Sequence, residues 1–332
     1  MYFKANTLSK QELLAKLEAE TFERIPVSFY RYVMIDSVEA FRNALYDEWS
    51  QLGVLGRVYV AREGINAQVS VPAPQMEAFR VAVDMHRELK DVPFKIGLRQ
   101  DGVAFWKLVI KAREYILADG LDHGSYDVTN VGSHLSAKEF NEAIEGGAVV
   151  VDMRNNFESD IGHFEGALCP NADTFREELP VVLETLQGKE EEKILLYCTG
   201  GIRCEKTSAF LKHHGFKDVN QLHGGIIDYK HQIDAEELSS KYKGLNYVFD
   251  GREAEVITED VLGVCYQCKR SANTTVNCSN QVCHVLFIQC PDCQEHMNGA
   301  CSEGCKEITL LPEEEQKQRR KGVKYTGRLV LR

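Results

Sequence analysis

The stretch Leu196-Tyr197-Cys198-Thr199-Gly200-Gly201-Ile202-Arg203-Cys204 brings a thiol, two glycines and a guanidinium into one short loop. It follows Lys193-Ile194-Leu195-Leu196-Tyr197, whose apolar run predicts a buried strand, and precedes Glu205 to Lys212, which predicts a helix. A cysteine between a strand end and a helix start meets backbone N–H groups that lack intrahelical partners. Those donors and the helix dipole favour an anion. A thiolate is an anion, so the same setting lowers a thiol pKa and makes the sulfur nucleophilic. Gly200 and Gly201 let the backbone curl until its amides converge on the sulfur, with Thr199 and Ile202 completing the loop. Arg203 adds a fixed positive charge. A buried, inert cysteine would need neither the glycines nor Arg203.

A second constellation lies between residues 265 and 305, where eight cysteines fall as Cys265-x2-Cys268, Cys278-x4-Cys283, Cys290-x2-Cys293 and Cys301-x3-Cys305. Two tetrahedral four-thiolate zinc sites would use every one. Sequential grouping joins the first four and the last four. Crossed grouping joins Cys265, Cys268, Cys290 and Cys293, leaving Cys278, Cys283, Cys301 and Cys305; both remain open. His284 is an alternative to Cys283, and an iron–sulfur cluster fits paired knuckles less well than zinc. Metal free energy would become folding free energy in a module this small, so its expected role is structural, with some help in holding RNA.

These residues need elements to position them. Residues 8–20 predict a packing helix with Ser9 and Glu12 at capping-box spacing. From 27 to 117 the pattern is β-α-β-β-α-β with a further strand at 106–117, the ferredoxin-like split order, in a domain taken as 1–118. Arg57, Arg62, Asn66, Lys107, Lys111 and Arg113 form either a basic sheet edge or an ordinary solvated face. A polar, Gly-punctuated linker is expected at 119–133. From 134 to 232, alternating helices and strands predict a parallel α/β sheet. Asp152 and Arg154 fall at a strand's C-terminal end, where such sheets bind ligands, yet a fixed buried ion pair is the favoured reading. The glycines of His223-Gly224-Gly225-Ile226 should allow close packing beside the Cys198 loop. Cys204 either resolves an oxidised Cys198 or packs in the core, and Cys169 is expected to be buried. Residues 233–262 read as a charged, irregular linker. The cysteine-rich module occupies 263–310. A basic tail, 311–332, is either a phosphate-binding arm or a solvated end.

The 332 residues suggest two or three domains, and the 44% hydrophobic and 27% charged fractions are those of a soluble globular chain. No apolar run approaches the ~20 residues of a membrane span. Met1 to Asn6 lack the apolar stretch of a signal peptide. A cytoplasmic protein with reduced thiols is expected, which makes its eleven cysteines metal ligands or catalysts. The net charge of −11 excludes a wholly basic nucleic-acid binder but allows a local basic patch.

The motif Cys198-x-x-Gly201-x-Arg203 between a strand and a helix resembles the rhodanese active-site loop, where the cysteine carries sulfur as a persulfide. Asp152-Met153-Arg154 followed by Gly162-His163-Phe164-Glu165-Gly166-Ala167 is similar to a second rhodanese motif. The combination with the N-terminal and cysteine-rich parts resembles the tRNA uridine-34 hydroxylase family over nearly the whole chain. Matching stretches include Gly56 to Gln68, Val151 to Asn155, Tyr197 to Lys206 and Leu286 to Pro291. That resemblance implies an oxidoreductase that converts the wobble uridine in the tRNA anticodon loop to 5-hydroxyuridine with molecular oxygen as co-substrate. It implies Cys198 as the active residue. The loop chemistry alone points instead to a rhodanese-type sulfurtransferase, and a non-enzymatic RNA-binding scaffold is a third reading. No flavin fingerprint, haem motif or two-His-one-carboxylate spacing is present, and the sequence names no electron donor.

Overall fold

The computed structural model describes residues 8–98, 102–122, 124–322 and 330, and element counts refer to those residues. Helix α1 (Lys10–Glu18) carries the expected capping box: the Ser9 hydroxyl accepts from the Glu12 amide at 3.3 Å, and the Glu12 carboxylate accepts from the Ser9 amide at 2.7 Å. None of its residues is fully buried, but Leu13, Leu14 and Leu17 are half-buried while the rest of the helix is exposed, so the leucine stripe is the face it packs. The opening residues Met1 to Asn6 lie outside the described residues.

Next come β1 (Arg24–Tyr32), α2 (Val38–Gln51), β2 (Leu55–Ala61), β3 (Gly64–Pro72), α3 (Met76–Asp84), β4 (Lys95–Ile96) and β5 (Leu108–Ala112). They form a five-stranded sheet ordered β4-β1-β3-β2-β5, in which the first four strands are antiparallel and β5 joins β2 in parallel. This is the ferredoxin-like order with one strand added. The strand expected at 106–117 stops at Ala112 because the chain then turns away, and the Ile116 amide donates to Glu63 at 2.8 Å. Strand alternation sends Val27, Phe29, Val58, Val60, Ala67 and Val69 into a core with Trp49 and Phe79. The same alternation puts Ser28, Tyr30, Arg57, Tyr59, Asn66 and Gln68 on the opposite face. In register, Tyr30, Asn66 and Tyr59 make one cross-strand row, and Ser28, Gln68 and Arg57 make the next.

The central region runs β6 (Ser133–Leu135), α4 (Ala137–Glu145), β7 (Val149–Asp152), α5 (Asn156–Ser159), β8 (Gly162–Phe164), α6 (Phe175–Thr185), β9 (Lys193–Tyr197), α7 (Ile202–His213), β10 (Asp218–Leu222) and α8 (Gly225–Ala235). Its sheet, β6-β10-β9-β7, is parallel throughout, with an apolar layer on each side. Strand β6 was hidden by its polar Ser133 and His134.

Both segments read as linkers are built into the fold. In 119–133, Asp119 and Tyr126 are buried and hydrogen-bonded at 3.1 Å. In 233–262, β11 (Tyr242–Tyr247) pairs with β8 and with β12 (Ala254–Val256), correcting the irregular reading. Tyr242, Gly244 and Asn246 alternate inward, a period masked by the charges around them. The cysteine-rich part holds a hairpin of β13 (Thr275–Asn277) and β14 (Leu286–Ile288), then α9 (Pro291–His296) and α10 (Glu303–Thr309). Helix α11 (Glu313–Arg320) folds the acidic run back on the tail's basic residues: Lys317 pairs with Glu313 and Glu314, and Arg319 with Glu315. Residues 323–329 and 331–332 of the expected phosphate-binding arm lie outside the described residues. Among the described residues no helix is long and apolar enough to cross a membrane.

Candidate active site

Cys198 follows the last residue of β9 and is 1% exposed. The Gly201 amide donates to its sulfur at 3.1 Å, and the Arg203 and Cys204 amides and the Cys204 thiol donate as well. Burial pushes the Cys198 pKa up. The Cys204 thiol, the Arg203 charge and the amides outweigh burial and bring it down to about 5, so a thiolate is held at neutral pH. Gly201 has φ +97°, the left-handed conformation that turns its amide onto the sulfur, and a Cβ there would come within 2.8 Å of the Tyr30 hydroxyl oxygen. Gly225 is equally constrained. A Cβ at that position would lie 2.6 Å from the Cys198 carbonyl oxygen, so the β10–α8 turn can nest against the loop only as glycine. The Ile226 amide uses that approach to donate to the same carbonyl at 3.0 Å.

The loop's other members play supporting parts. Arg203 is held by Glu158 through two bonds of 2.7 and 2.9 Å, and it donates to the Thr199 hydroxyl at 3.3 Å. Its guanidinium is therefore committed to a carboxylate, and it acts on Cys198 through charge and loop geometry. Cys204 is fully buried and burial raises its pKa, which makes it a thiol donor to the Cys198 thiolate. Gly200 and Ile202 line the cleft above the sulfur. Asp152 and Arg154 lie at the end of β7 beneath the loop, both 0% exposed and paired at 2.7 and 2.9 Å. The Tyr197 hydroxyl donates to Asp152 at 2.6 Å, and Arg154 donates to the Gly162 carbonyl at 2.6 Å. They form the fixed ion pair favoured from the sequence. Cys169 is exposed, contrary to expectation, lying between Leu168, which bridges to Val151, and the buried Pro170.

A cleft of about 870 Å³ opens over Cys198. Its walls come from the open face of the N-terminal sheet, from the Cys198 loop, and from residues 248–252. Of the basic edge expected from the sequence, Arg57, Asn66 and Arg113 line this cleft; Lys107 instead lies 4.4 Å over the Trp106 ring. Tyr30, Tyr59, Lys95, Phe157 and Arg176 also line it, and none was singled out from the sequence. Their only sequence signal was the period-2 placement of Tyr30 and Tyr59 opposite the core face. Glu158 was missed too, lying in a single helical turn. So was Glu178, fully buried on α6, where burial raises its carboxyl pKa against the pull of Arg203.

The eight cysteines gather into two groups, Cys265, Cys268, Cys290 with Cys293, and Cys278, Cys283, Cys301 with Cys305. This is the crossed arrangement, and His284 belongs to neither group. Within each group the ligand atoms lie within 4.8 Å of one another. Sulfur–sulfur distances of 3.6, 3.7 and 3.8 Å match the edge of a zinc–thiolate tetrahedron, roughly 3.8 Å for a bond of about 2.3 Å. Both groups could hold a metal ion, and Arg270 donates to Cys268 at 3.5 Å as a second support.

A thiolate gripped by strand-to-helix amides at the end of a parallel sheet defines a rhodanese-like protein, and the rhodanese-like domain family matches residues 136–232. The UPF0176 acylphosphatase like domain matches 24–116, and the rhodanase C-terminal family matches 243–306. The chain belongs to the tRNA uridine(34) hydroxylase family. It is 54% identical to the protein of that name from Leptospira interrogans over 96% of this chain and 87% of the relative. The Yersinia enterocolitica and Cronobacter sakazakii proteins of the same name are 47% and 48% identical, each over 96% of this chain and 91% of the relative.

Proposed function

We propose that this chain is a tRNA-modifying oxidoreductase that converts uridine 34 to 5-hydroxyuridine with molecular oxygen as co-substrate, one oxygen atom going to C5 and the other leaving as water with two electrons from an external donor, Cys198 being the reacting sulfur. Three working units, 1–118, 134–232 and 263–310, supply the open sheet face, the thiolate loop and a metal-stabilised module. Structural zinc suits both thiolate groups and would supply folding free energy there. The observation that carries this reading is the placement of a stabilised thiolate in a cleft walled by aromatic and basic side chains. Tyr59 offers a surface on which a base can stack, and Arg57, Arg113 and Arg176 offer charge to a nucleic-acid backbone. A wobble nucleotide in a single-stranded loop can enter without melting a duplex. Asp152 and Arg154 fix the strand end below, and Arg203 with Thr199 and Glu158 fixes the loop.

The test is mass spectrometry of tRNA nucleosides from cells lacking this protein and complemented with wild type or Cys198→Ser. Restoration of 5-hydroxyuridine derivatives by wild type alone is expected. A change confined to thiolated nucleosides would favour the sulfurtransferase reading, which the rhodanese-like loop supports. Equal rescue by Cys198→Ser would remove the cysteine from the chemistry.

A further inference from the structure

Lys95 is 6% exposed, yet it lines the same cleft as Cys198. Its strand, β4, has two residues and is clamped from several sides. Ser28 of β1 is its register partner, His231 Nε2 meets the Ile96 carbonyl at 2.7 Å, and Arg252 donates to the Leu98 carbonyl at 3.0 Å. The Lys95 stem runs along the loop: a Cβ on Gly200 would lie 3.6 Å from Lys95 Cδ. Its ammonium stands 4.4 Å over the Tyr30 ring. Among the described residues no carboxylate forms an ion pair with it. Asp228, Cys198 and Glu205 supply a negative field that partly offsets the burial lowering its pKa.

A buried ammonium without an ion-pair partner is costly, and its remaining N–H donors face a cleft. The Cys198 sulfur already has its own donors in the Gly201, Arg203 and Cys204 amides and the Cys204 thiol. The charge on Lys95 is therefore available to a ligand seated above the thiolate.

We propose that Lys95 is a catalytic residue of the hydroxylation, its ammonium donating to O4 of the target uracil and stabilising the negative charge that develops there as Cys198 Sγ adds to C6. This rests on the uridine reading above. In the addition, a sulfur lone pair forms the S–C6 bond. The C5=C6 π pair becomes the C4=C5 π pair, and the C4=O4 π pair moves onto O4, where the Lys95 N–H meets it. The step is redox-neutral and needs no further reactant. It leaves C5, the carbon to be hydroxylated, electron-rich. A lysine donor also discriminates against cytosine, which presents an amino group where uracil presents O4.

The experiment uses the full-length protein and an anticodon stem-loop RNA carrying 5-fluorouridine at the wobble position, without oxygen, with the covalent Cys198 adduct followed by mass spectrometry. Wild type should form the adduct, and Lys95→Met should form it at least a hundredfold more slowly while binding the RNA within threefold of wild type. Alkylation of Cys198 by iodoacetamide, unchanged within threefold, shows that the variant's loop is intact. Lys95→Arg keeps the charge and should recover a tenth or more of the rate. Adduct formation by Lys95→Met at the wild-type rate overturns the proposal. So does a wild-type protein that restores 5-hydroxyuridine in cells lacking it yet forms no adduct. A wild type that forms no adduct and restores no 5-hydroxyuridine in cells lacking the protein overturns the uridine reading itself, and this proposal with it.

Discussion

The hydroxyl of Tyr30 donates to the Glu205 carboxylate at 3.0 Å, joining β1 of the N-terminal sheet to the first turn of α7. His134 Nε2 meets the same carboxylate oxygen at 3.0 Å. Burial raises the Glu205 pKa, but these partners outweigh it and keep the carboxylate charged. The sheet is thereby fastened to the helix whose amides grip Cys198. Tyr30→Phe keeps the ring under Lys95 and removes this bond. It should destabilise the protein by about 1–2 kcal/mol in urea unfolding and lower hydroxylation less than tenfold. Tyr30→Leu, which also removes the ring, should lower hydroxylation further at similar stability.

The thiolate gives a pH signature. With the Cys198 pKa near 5, its alkylation rate by iodoacetamide should be flat from pH 6 to 8 and halve near pH 5. Cys204→Ala removes a donor to the thiolate and should move that midpoint upward. The folded pKa lies below the ordinary thiol value of about 8.5. Ionisation therefore stabilises the fold in full above that value, progressively less as pH falls toward 5, and not at all below it. The stability gap between wild type and Cys198→Ser should narrow across the same window in unfolding titrations.

Much of this architecture is legible in the sequence because it rests on period and spacing. The ferredoxin-like order follows from the alternation in β1, β2 and β3, and the metal-binding groups follow from the cysteine spacing. The choice of crossed over sequential pairing does not, since it depends on how the β13–β14 hairpin brings distant knuckles together. Nor does Lys95, a charged residue on a two-residue strand that becomes buried only when α8 and residues 248–255 close over it. The segments mistaken for linkers failed for a related reason. Their charges read as solvated, but Asp119 pairs with Lys206, and Arg252 sits between Asp250 and Glu255.

Lys206 shows what such a buried charge contributes. Its ammonium, 2% exposed, meets Glu63 at 3.2 Å, Asp119 at 3.1 Å and the Leu117 carbonyl at 2.8 Å. It ties the β2–β3 turn and the 119–133 segment to α7. Lys206→Met would leave two carboxylates facing one another without their cation, a loss of about 3–5 kcal/mol. Urea unfolding should show it. Restoring stability by adding Glu63→Gln and Asp119→Asn would confirm that the penalty comes from the stranded charges.

The crossed pairing makes a prediction about metal stoichiometry that sequential pairing cannot share. Cys268 and Cys290 stand 3.6 Å apart in one group, while Cys283 and Cys301 stand 3.7 Å apart in the other. Elemental analysis of the wild-type protein should give two zinc ions per chain. Cys268→Ser with Cys290→Ser should remove one ion, since both lie at the same site. Cys268→Ser with Cys283→Ser should remove both. Sequential grouping reverses these outcomes, because Cys268 and Cys283 would then share an ion and Cys268 and Cys290 would not. The Cys198 loop lies outside both groups, so its alkylation at neutral pH should survive loss of either metal. Coupled loss of alkylation and metal would instead show that the module holds the cleft in shape through the packing of Leu286 at its rim.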